Sequence, residues 1–270
     1  MIGAVVYELT AENAERVSEA QGRLLHGALF SLLGEVDHGF ASLVHDGMDV
    51  KPFSVAPLEL PKNAPKAGTD RLLRAGDVVY WRVAALDGAV LQAMLAVPTG
   101  TVVQVGRLRL VLRRIIADSE ERPDAGALDE TELIGACLAV PEVRVIEFRF
   151  LTPVSFRVGT GDWPMPTPTL VFSSLADKWT AAELSASFER NEVRADAERV
   201  RPHAWRGETR RIFLGRDRGV TGCVGRFAYD VSALPRDVRR AFLLLAQFAV
   251  FSGVGRLTAQ GFGQTRTTYR

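Results

Sequence analysis

His45 stands six residues before Lys51, the only lysine among the first sixty residues, and Asp46-Gly47 between them marks a turn after a short helix. A histidine titrates near neutrality and can take or give a proton, while a nearby ammonium can stabilise a crowded, doubly charged phosphorane. Together they suit RNA scission in which a ribose 2′-hydroxyl attacks the adjacent phosphate, a reaction that needs no metal. His26 lies on an earlier helical stretch, one turn from Phe30 and on the same face. His38 and His45 are seven apart and share a face if the second helix is continuous. The ordinary alternative for each histidine is a half-buried, hydrogen-bonded ring. No HExxH motif or cysteine partner accompanies them, so no zinc site is implied and no cofactor is called for.

A second chemistry-bearing stretch lies near the C-terminus, where Gly253-Val-Gly255 and Gly261-Phe-Gly263 bracket five residues that begin with Arg256. The glycines allow positive φ angles and close approach of a ligand. Consecutive N–H groups there can form an anion nest, with the Arg256 charge beside it. The plain alternative is a flexible hairpin loop.

The elements that must position these residues can be read along the chain. Ile2 to Leu9 reads as a strand; Thr10 or Asn13 then caps a helix carrying Val17, Leu24, Leu25, Ala28, Leu29 and Leu32, which Gly34 ends. Asp37 to Val44 is a second helical stretch, and Lys51 to Leu60 is extended. Lys62 to Thr69 is a loop, Asp77 to Ala85 a strand, Leu86 to Val97 a helix, and Thr101 to Ile116 a long strand or hairpin. Asp118 to Asp129 is the best linker. The pattern then restarts, with a helix at Glu130 to Leu138, a strand at Val143 to Leu151, a long helix from Pro168 to about Glu192, and strands at Arg210 to Leu214 and Cys223 to Val231. An apolar helix from Pro235 to Phe251 and a strand from Gln264 to Tyr269 flank the glycine loop and close the chain. Two strand-helix-strand-strand-helix-strand units predict an α+β protein of two tandem ferredoxin-like (RRM-like) domains, residues 1–125 with the catalytic region and residues 126–270 with the glycine loop. No RNP1 pattern falls on the central strands, so bases would not be read by stacking on the sheet.

Composition sets wide bounds. The 270 residues are 47% apolar, enough for a sizeable core, with a net charge of +1, weak for a nucleic-acid binder. Lysine occurs only at Lys51, Lys62, Lys66 and Lys178, the other basic residues being arginine. Cys137 and Cys223 lack metal or redox spacing and read as buried free thiols. The start of the chain has no signal-peptide pattern and no apolar run is long enough to span a bilayer, so the expectation is a cytoplasmic protein with no membrane partner. Trp163, Trp179 and Phe172 read as core aromatics, and His203-Ala-Trp205 as part of a polar connection.

The glycine loop, set between the last helix and the last strand, resembles that of the RAMP superfamily of CRISPR-associated RNA-binding proteins. The segment Leu25-His-Gly-Ala-Leu-Phe30, Leu43-Val-His45 and Lys51-Pro-Phe-Ser-Val-Ala-Pro-Leu58 resembles the N-terminal region of the CRISPR repeat-processing endoribonucleases within that superfamily. Phe150-Leu-Thr152-Pro-Val-Ser-Phe156-Arg157, Pro166-Thr-Pro168, Val171-Phe-Ser-Ser-Leu175 with Trp179, and Gly225-Arg-Phe-Ala-Tyr229 are similar to its C-terminal domain, in the family order.

The resemblance implies a metal-independent endoribonuclease that cuts CRISPR precursor RNA within each repeat, leaving a 2′,3′-cyclic phosphate or 3′-phosphate and a 5′-hydroxyl. It places His45 as proton donor or acceptor and Lys51 at the transition state. Phe30 falls where some members carry a catalytic tyrosine, and phenylalanine cannot transfer a proton, so His26 is the candidate replacement. Gly253, Gly255, Arg256, Gly261, Gly263, Arg266 and Arg157 are the expected RNA-binding residues, with Arg149, Arg210, Arg211, Arg216 and Arg218 as further groove candidates. The expected partner is CRISPR repeat RNA; other effector subunits and a homodimer stay open. The alternative is a non-catalytic RAMP subunit that binds guide RNA, which Phe30 favours, and a small-molecule or structural ferredoxin-like protein is the reading without RNA.

Overall fold

The computed structural model describes residues 1–46, 50–215 and 219–270, leaving the side chains of Leu43, His45 and Asp46 undescribed. The chain divides into two units: 1–127 with 213–218 and 259–261, and 128–212 with 219–258 and 262–270. Gly47, Arg216 and Arg218 lie outside the described residues.

The first unit runs β1 (Ile2–Ala11), β2 (Glu15–Val17), α1 (Gly22–Val36), α2 (His38–Asp46), β3 (Phe53–Val55), β4 (Lys66–Ala67), β5 (Asp70–Leu73), β6 (Val78–Ala85), α3 (Gly88–Leu95), β7 (Val102–Val105) and β8 (Leu108–Ile116). Then β9 (Gly126–Leu128) pairs with β1. The main sheet has the order β3-β6-β1-β8-β7. Omitting the hairpin partner β7, the first and third strands of a strand-helix-strand-strand-helix-strand repeat occupy the centre, the split arrangement of a ferredoxin-like fold. Register follows the apolar alternation: Val5, Tyr7 and Leu9 of β1 and Trp81 and Val83 of β6 pack with Leu25, Leu29 and Leu33 of α1 and Leu91 and Met94 of α3. The buried Tyr7 hydroxyl donates to Met94 O at 2.8 Å, and the Trp81 indole to Ala56 O at 3.0 Å. Asp87 starts α3 by accepting from the N–H groups of Ala89 and Val90.

The second unit repeats the plan with α4 (Glu130–Ala139), β10 (Val145–Val154), β11 (Phe156–Val158), β12 (Gly161–Trp163), α5 (Pro168–Ala181), α6 (Arg190–Glu198), β13 (Arg201–Phe213), β14 (Gly219–Asp230), α7 (Arg236–Ser252), a 3-10 turn at Thr258–Gln260 and β15 (Thr265–Tyr269). Its sheet order, β13-β14-β10-β15, again centres the first and third strands. Phe148 of β10 and Tyr229 of β14 meet Phe172 of α5, which packs on Phe242 of α7 at a centroid distance of 4.2 Å. Trp179 packs edge-on against Phe248 at 5.1 Å. A capping box of Asp129 and Glu132 opens α4, and Thr167 with Pro168 in the first turn opens α5. Cys137 and Cys223 are buried free thiols, as the spacing predicts.

Several expectations need correction. Val17 belongs to β2 and not to the first helix; Thr10 stays in β1, and Asn13 caps nothing but bonds Arg107 O and Arg109 N beside the β7–β8 turn. The helix expected from Pro168 to Glu192 is two helices. Glu183 adopts φ 53°, and the chain wraps around Trp179, whose indole donates to Ala186 O at 2.7 Å while Phe188 meets its ring edge-on. The polar run containing His203 and Trp205 is no connection but the edge strand β13, solvent-exposed along nearly its whole length and so lacking apolar alternation. The stretch 62–69 is not all loop, since Lys66–Ala67 pairs with β5. Trp163 is 47% exposed and is not core, whereas Trp179 and Phe172 are buried.

Candidate functional site

In the first unit, α1 and α2 are joined through Asp37, whose carboxylate accepts from Phe40 N at 2.9 Å and starts the second helix. Phe30, Ser31, Gly34, Glu35, His38, Ala41 and Ser42 line an open cleft of about 450 Å³ along the two helices. His26, half-buried on α1, sits edge-on to Phe30 at 5.0 Å and 5.8 Å from Phe53. Its Nδ1 lies 2.9 Å from Ala259 O. A carbonyl oxygen only accepts, so Nδ1 carries the proton in this bond, and in the neutral ring Nε2 is the basic nitrogen. Phe30 packs against the core and against Phe53 at 5.4 Å, a wall for His26 and no proton donor.

His45 occupies the last turn of α2, and its side chain lies outside the described residues. Lys51 Nζ donates a long 3.4 Å bond to Val44 O, the carbonyl just before His45. The backbone therefore brings the predicted lysine to the helix end that bears the predicted histidine.

The glycine loop differs from expectation. Gly253, Gly255, Gly261 and Gly263 all take positive φ, as the spacing predicts, but the N–H groups expected to form the nest are spent within the protein. Gly253 N bonds Ala249 O, Val254 N bonds Gly263 O, Gly255 N bonds the Ser174 hydroxyl, and Arg256 N bonds Ser155 O. The glycines serve close packing: a Cβ on Gly255 would stand 2.4 Å from Ser155 O, and one on Gly263 2.0 Å from Val254 O. The anion-nest expectation for Gly253 to Arg256 is thus set aside, because an N–H that already donates inward cannot also hold a phosphate. Within the first unit, the loop tip lies against the start of α1, where a Cβ on Gly22 would meet Gln260 O at 1.9 Å.

Lys178, overlooked in the sequence, is the hidden centre of this loop. It is 7% exposed on the buried face of α5, and its ammonium donates to Ser252 O at 3.1 Å, Gly253 O at 2.9 Å and the Thr258 hydroxyl at 3.2 Å. Burial pulls its pKa down to about 7. The signal was present: Val171, Leu175 and Lys178 fall on one helical stripe, so a lysine interrupts an apolar face.

Two expected RNA-binding arginines are brought together by a carboxylate that sequence reasoning missed. Arg157 of β11 and Asp162 of β12 are cross-strand partners, 3.8 Å apart, and Arg256 bonds the same Asp162. Arg266 lies elsewhere, on the open face of the second sheet. There Arg149 of β10 stands in register with Arg226 of β14 on one side and Arg266 of β15 on the other. All three are exposed, about 5 Å apart from strand to strand, and their guanidinium groups make no ion pair among the described residues. Like charges directly opposite on a sheet cost stability, so such a row suits an anionic partner.

The model of the family described as CRISPR-associated endoribonuclease Cas6 matches residues 148–265. Over whole chains, a Thermus thermophilus Cas6 (TTHB231), solved as a product complex, is 27% identical with a TM-score of 0.80, covering 99% of this chain and 100% of that one. The C-terminal part of the chain thus matches the Cas6 family model, and the whole chain is similar in fold to solved Cas6 proteins. A second Cas6 (TTHA0078) product complex is 25% identical, covers 99% of both chains and gives a TM-score of 0.75. A Cas6-related protein from Pyrococcus furiosus, 12% identical over 99% of both chains with a TM-score of 0.66, shares the fold. No curated protein matches the sequence. No helix among the described residues is long and apolar enough to cross a membrane.

Proposed function

We propose that the protein is a metal-independent endoribonuclease that cuts CRISPR precursor RNA within its repeats. The observation that carries the mechanism is the bond from His26 Nδ1 to Ala259 O, which sets the Nδ1–H tautomer and so makes Nε2 the basic nitrogen of the neutral ring. Its likeness over the whole chain to Cas6 solved as a product complex supports the substrate class.

In this reading His26 Nε2 takes the proton of a ribose 2′-hydroxyl as its oxygen attacks phosphorus. The phosphorane is stabilised by the Lys51 ammonium, and the P–O5′ bond breaks as His45 protonates the leaving oxygen. One product ends in a 2′,3′-cyclic phosphate and the other begins with a 5′-hydroxyl, so no water enters the cutting step. The row Arg149, Arg226 and Arg266 offers charge to the phosphate backbone, and the Arg157–Asp162–Arg256 cluster a further polar contact, while the four loop glycines act by shaping the loop.

The test is cleavage of a labelled RNA bearing the host's own repeat, in excess EDTA, with a scrambled repeat as control. The wild type is expected to make one cut within the repeat, and His45→Ala to lose at least about 100-fold in single-turnover rate. Tight repeat binding without a cut would support the guide-binding subunit that Phe30 favours.

A further inference from the structure

Trp205 on β13 is 63% exposed, more than any other large apolar side chain among the described residues. An indole left in water forgoes the burial that large aromatics usually supply, so its exposure calls for a reason. This one is also held in place. Its ring lies nearly parallel to that of the buried Phe227 on β14, with centroids 6.1 Å and planes 12° apart, so one side of the indole leans on the sheet and the rest is open. Two glycines make the contact possible. A Cβ on Gly207 would run into Val224 O and stand 3.1 Å from the Phe227 ring, and one on Gly225, at φ 131°, would run into Arg206 O. The edge strand therefore presses closely on β14 and leaves the space beside Phe227 to the indole. All of these residues belong to the second unit.

The charge around the indole points to the kind of partner. Residues 201–212 carry Arg201, Arg206, Arg210 and Arg211 against a single carboxylate, Glu208, which accepts from Arg210 at 2.9 Å. Arg206, next to the indole, is exposed and makes no ion pair among the described residues. A second copy of the chain adding its own β13 at this edge would set arginines against arginines, which is unfavourable. A nucleotide instead offers a flat base to the indole and a phosphate to the arginine. We infer that Trp205 is a stacking platform for an unpaired base of the repeat RNA, with Arg206 beside an adjoining phosphate. The inference rests on the reading of the protein as a binder of CRISPR repeat RNA, and not on its cutting step. The missing RNP1 pattern concerns the central strands, whereas this ring stands on the edge strand. Every base has a π face, so the platform adds affinity at one position without selecting which base sits there. Support from Phe227 fixes the indole in advance and lowers the entropy lost on binding.

The experiment measures affinity for the host's own repeat RNA at fixed salt, and single-turnover cleavage at saturating protein, for the wild type, Trp205→Ala and Trp205→Phe. Trp205→Leu, apolar but without a ring, replaces the alanine variant should that one not fold. Wild type and Trp205→Ala are also given a series of repeats, each with one unpaired base removed to leave an abasic sugar. The expected result for Trp205→Ala is affinity about tenfold weaker, the scale of one lost base stack, with the cleavage rate at saturation unchanged. Trp205→Phe, which keeps a smaller ring on Phe227, should lose about threefold or less. One abasic repeat should bind the wild type about tenfold more weakly, yet bind Trp205→Ala as well as the intact repeat does. Arg206→Ala should lower the slope of log affinity against log salt by about 0.7. Equal affinity of wild type and Trp205→Ala overturns the inference, as does an abasic series whose losses are the same for both proteins. A wild-type dimer that Trp205→Ala dissociates, with RNA affinity unmoved, would give the edge to a second copy of the chain instead. A wild type that binds the repeat without cutting it ends the nuclease reading, and the stacking comparison still decides the role of Trp205.

Discussion

His26 shows what one residue's neighbours decide. Its place on α1 is legible from helical spacing, but the carbonyl that sets its tautomer arrives from Ala259, 233 positions away, and no local pattern announces it. His26→Ala is expected to lower single-turnover cleavage by about 100-fold with RNA affinity nearly unchanged, the behaviour of a group that acts only in the transition state. An unchanged rate would sink the assignment. Lys178 was more legible than it looked: a lysine on the apolar stripe of α5 is a contradiction between charge and burial, and such contradictions mark residues with a task. Asp162 gave no such signal, because a cross-strand pair in a short hairpin is set by register and not by sequence spacing.

Among elements, the strands with one buried face could be read, and the edge strand only at its end, from Arg210 onward. Val145–Val154 alternates because Ile146, Phe148 and Phe150 face the core, whereas β13 is exposed on both faces and carries no period. The glycine spacing correctly signals positive φ, but not what the N–H groups bond, since that depends on β10 and α5 arriving beside the loop. Gly263→Ala should therefore cost about 2–4 kcal/mol in denaturant unfolding, from positive φ and the contact with Val254 O together. A loss below about 0.5 kcal/mol would mean that the loop is not held as described. The arginine row makes a different prediction: replacing Arg149, Arg226 or Arg266 by alanine should each lower the slope of log affinity against log salt by about 0.7, as expected for one lost phosphate contact to a single strand. An unchanged slope would remove that residue from the RNA surface.

At the scale of the molecule, the repeated strand-helix pattern discloses the tandem ferredoxin-like fold, and the net charge of +1 says little about its surface, because a total does not show that three arginines share one register row, with Glu147 two residues along β10. Buried titratable groups tie global stability to pH. Lys178 has its folded pKa pulled down to about 7 from 10.5, so above pH 7 the unfolded chain holds more protons at this site and stability rises with pH, by at most about 1.4 kcal/mol per unit. Cys137, pushed up to about 11 by burial, acts the other way once the exposed thiol begins to ionise near 9. Unfolding at about pH 7, 8 and 9 should show a rise that flattens at the top, and Lys178→Met should abolish the rise. The central claim remains that the RNA cuts itself through its own 2′-hydroxyl, with the protein moving protons. It is tested most directly by a repeat RNA carrying a single 2′-deoxy substitution at the mapped cut, in excess EDTA. The account predicts binding equal to that of the unmodified RNA and no cleavage; a cut at the same phosphate would show that another nucleophile attacks, and would contradict it.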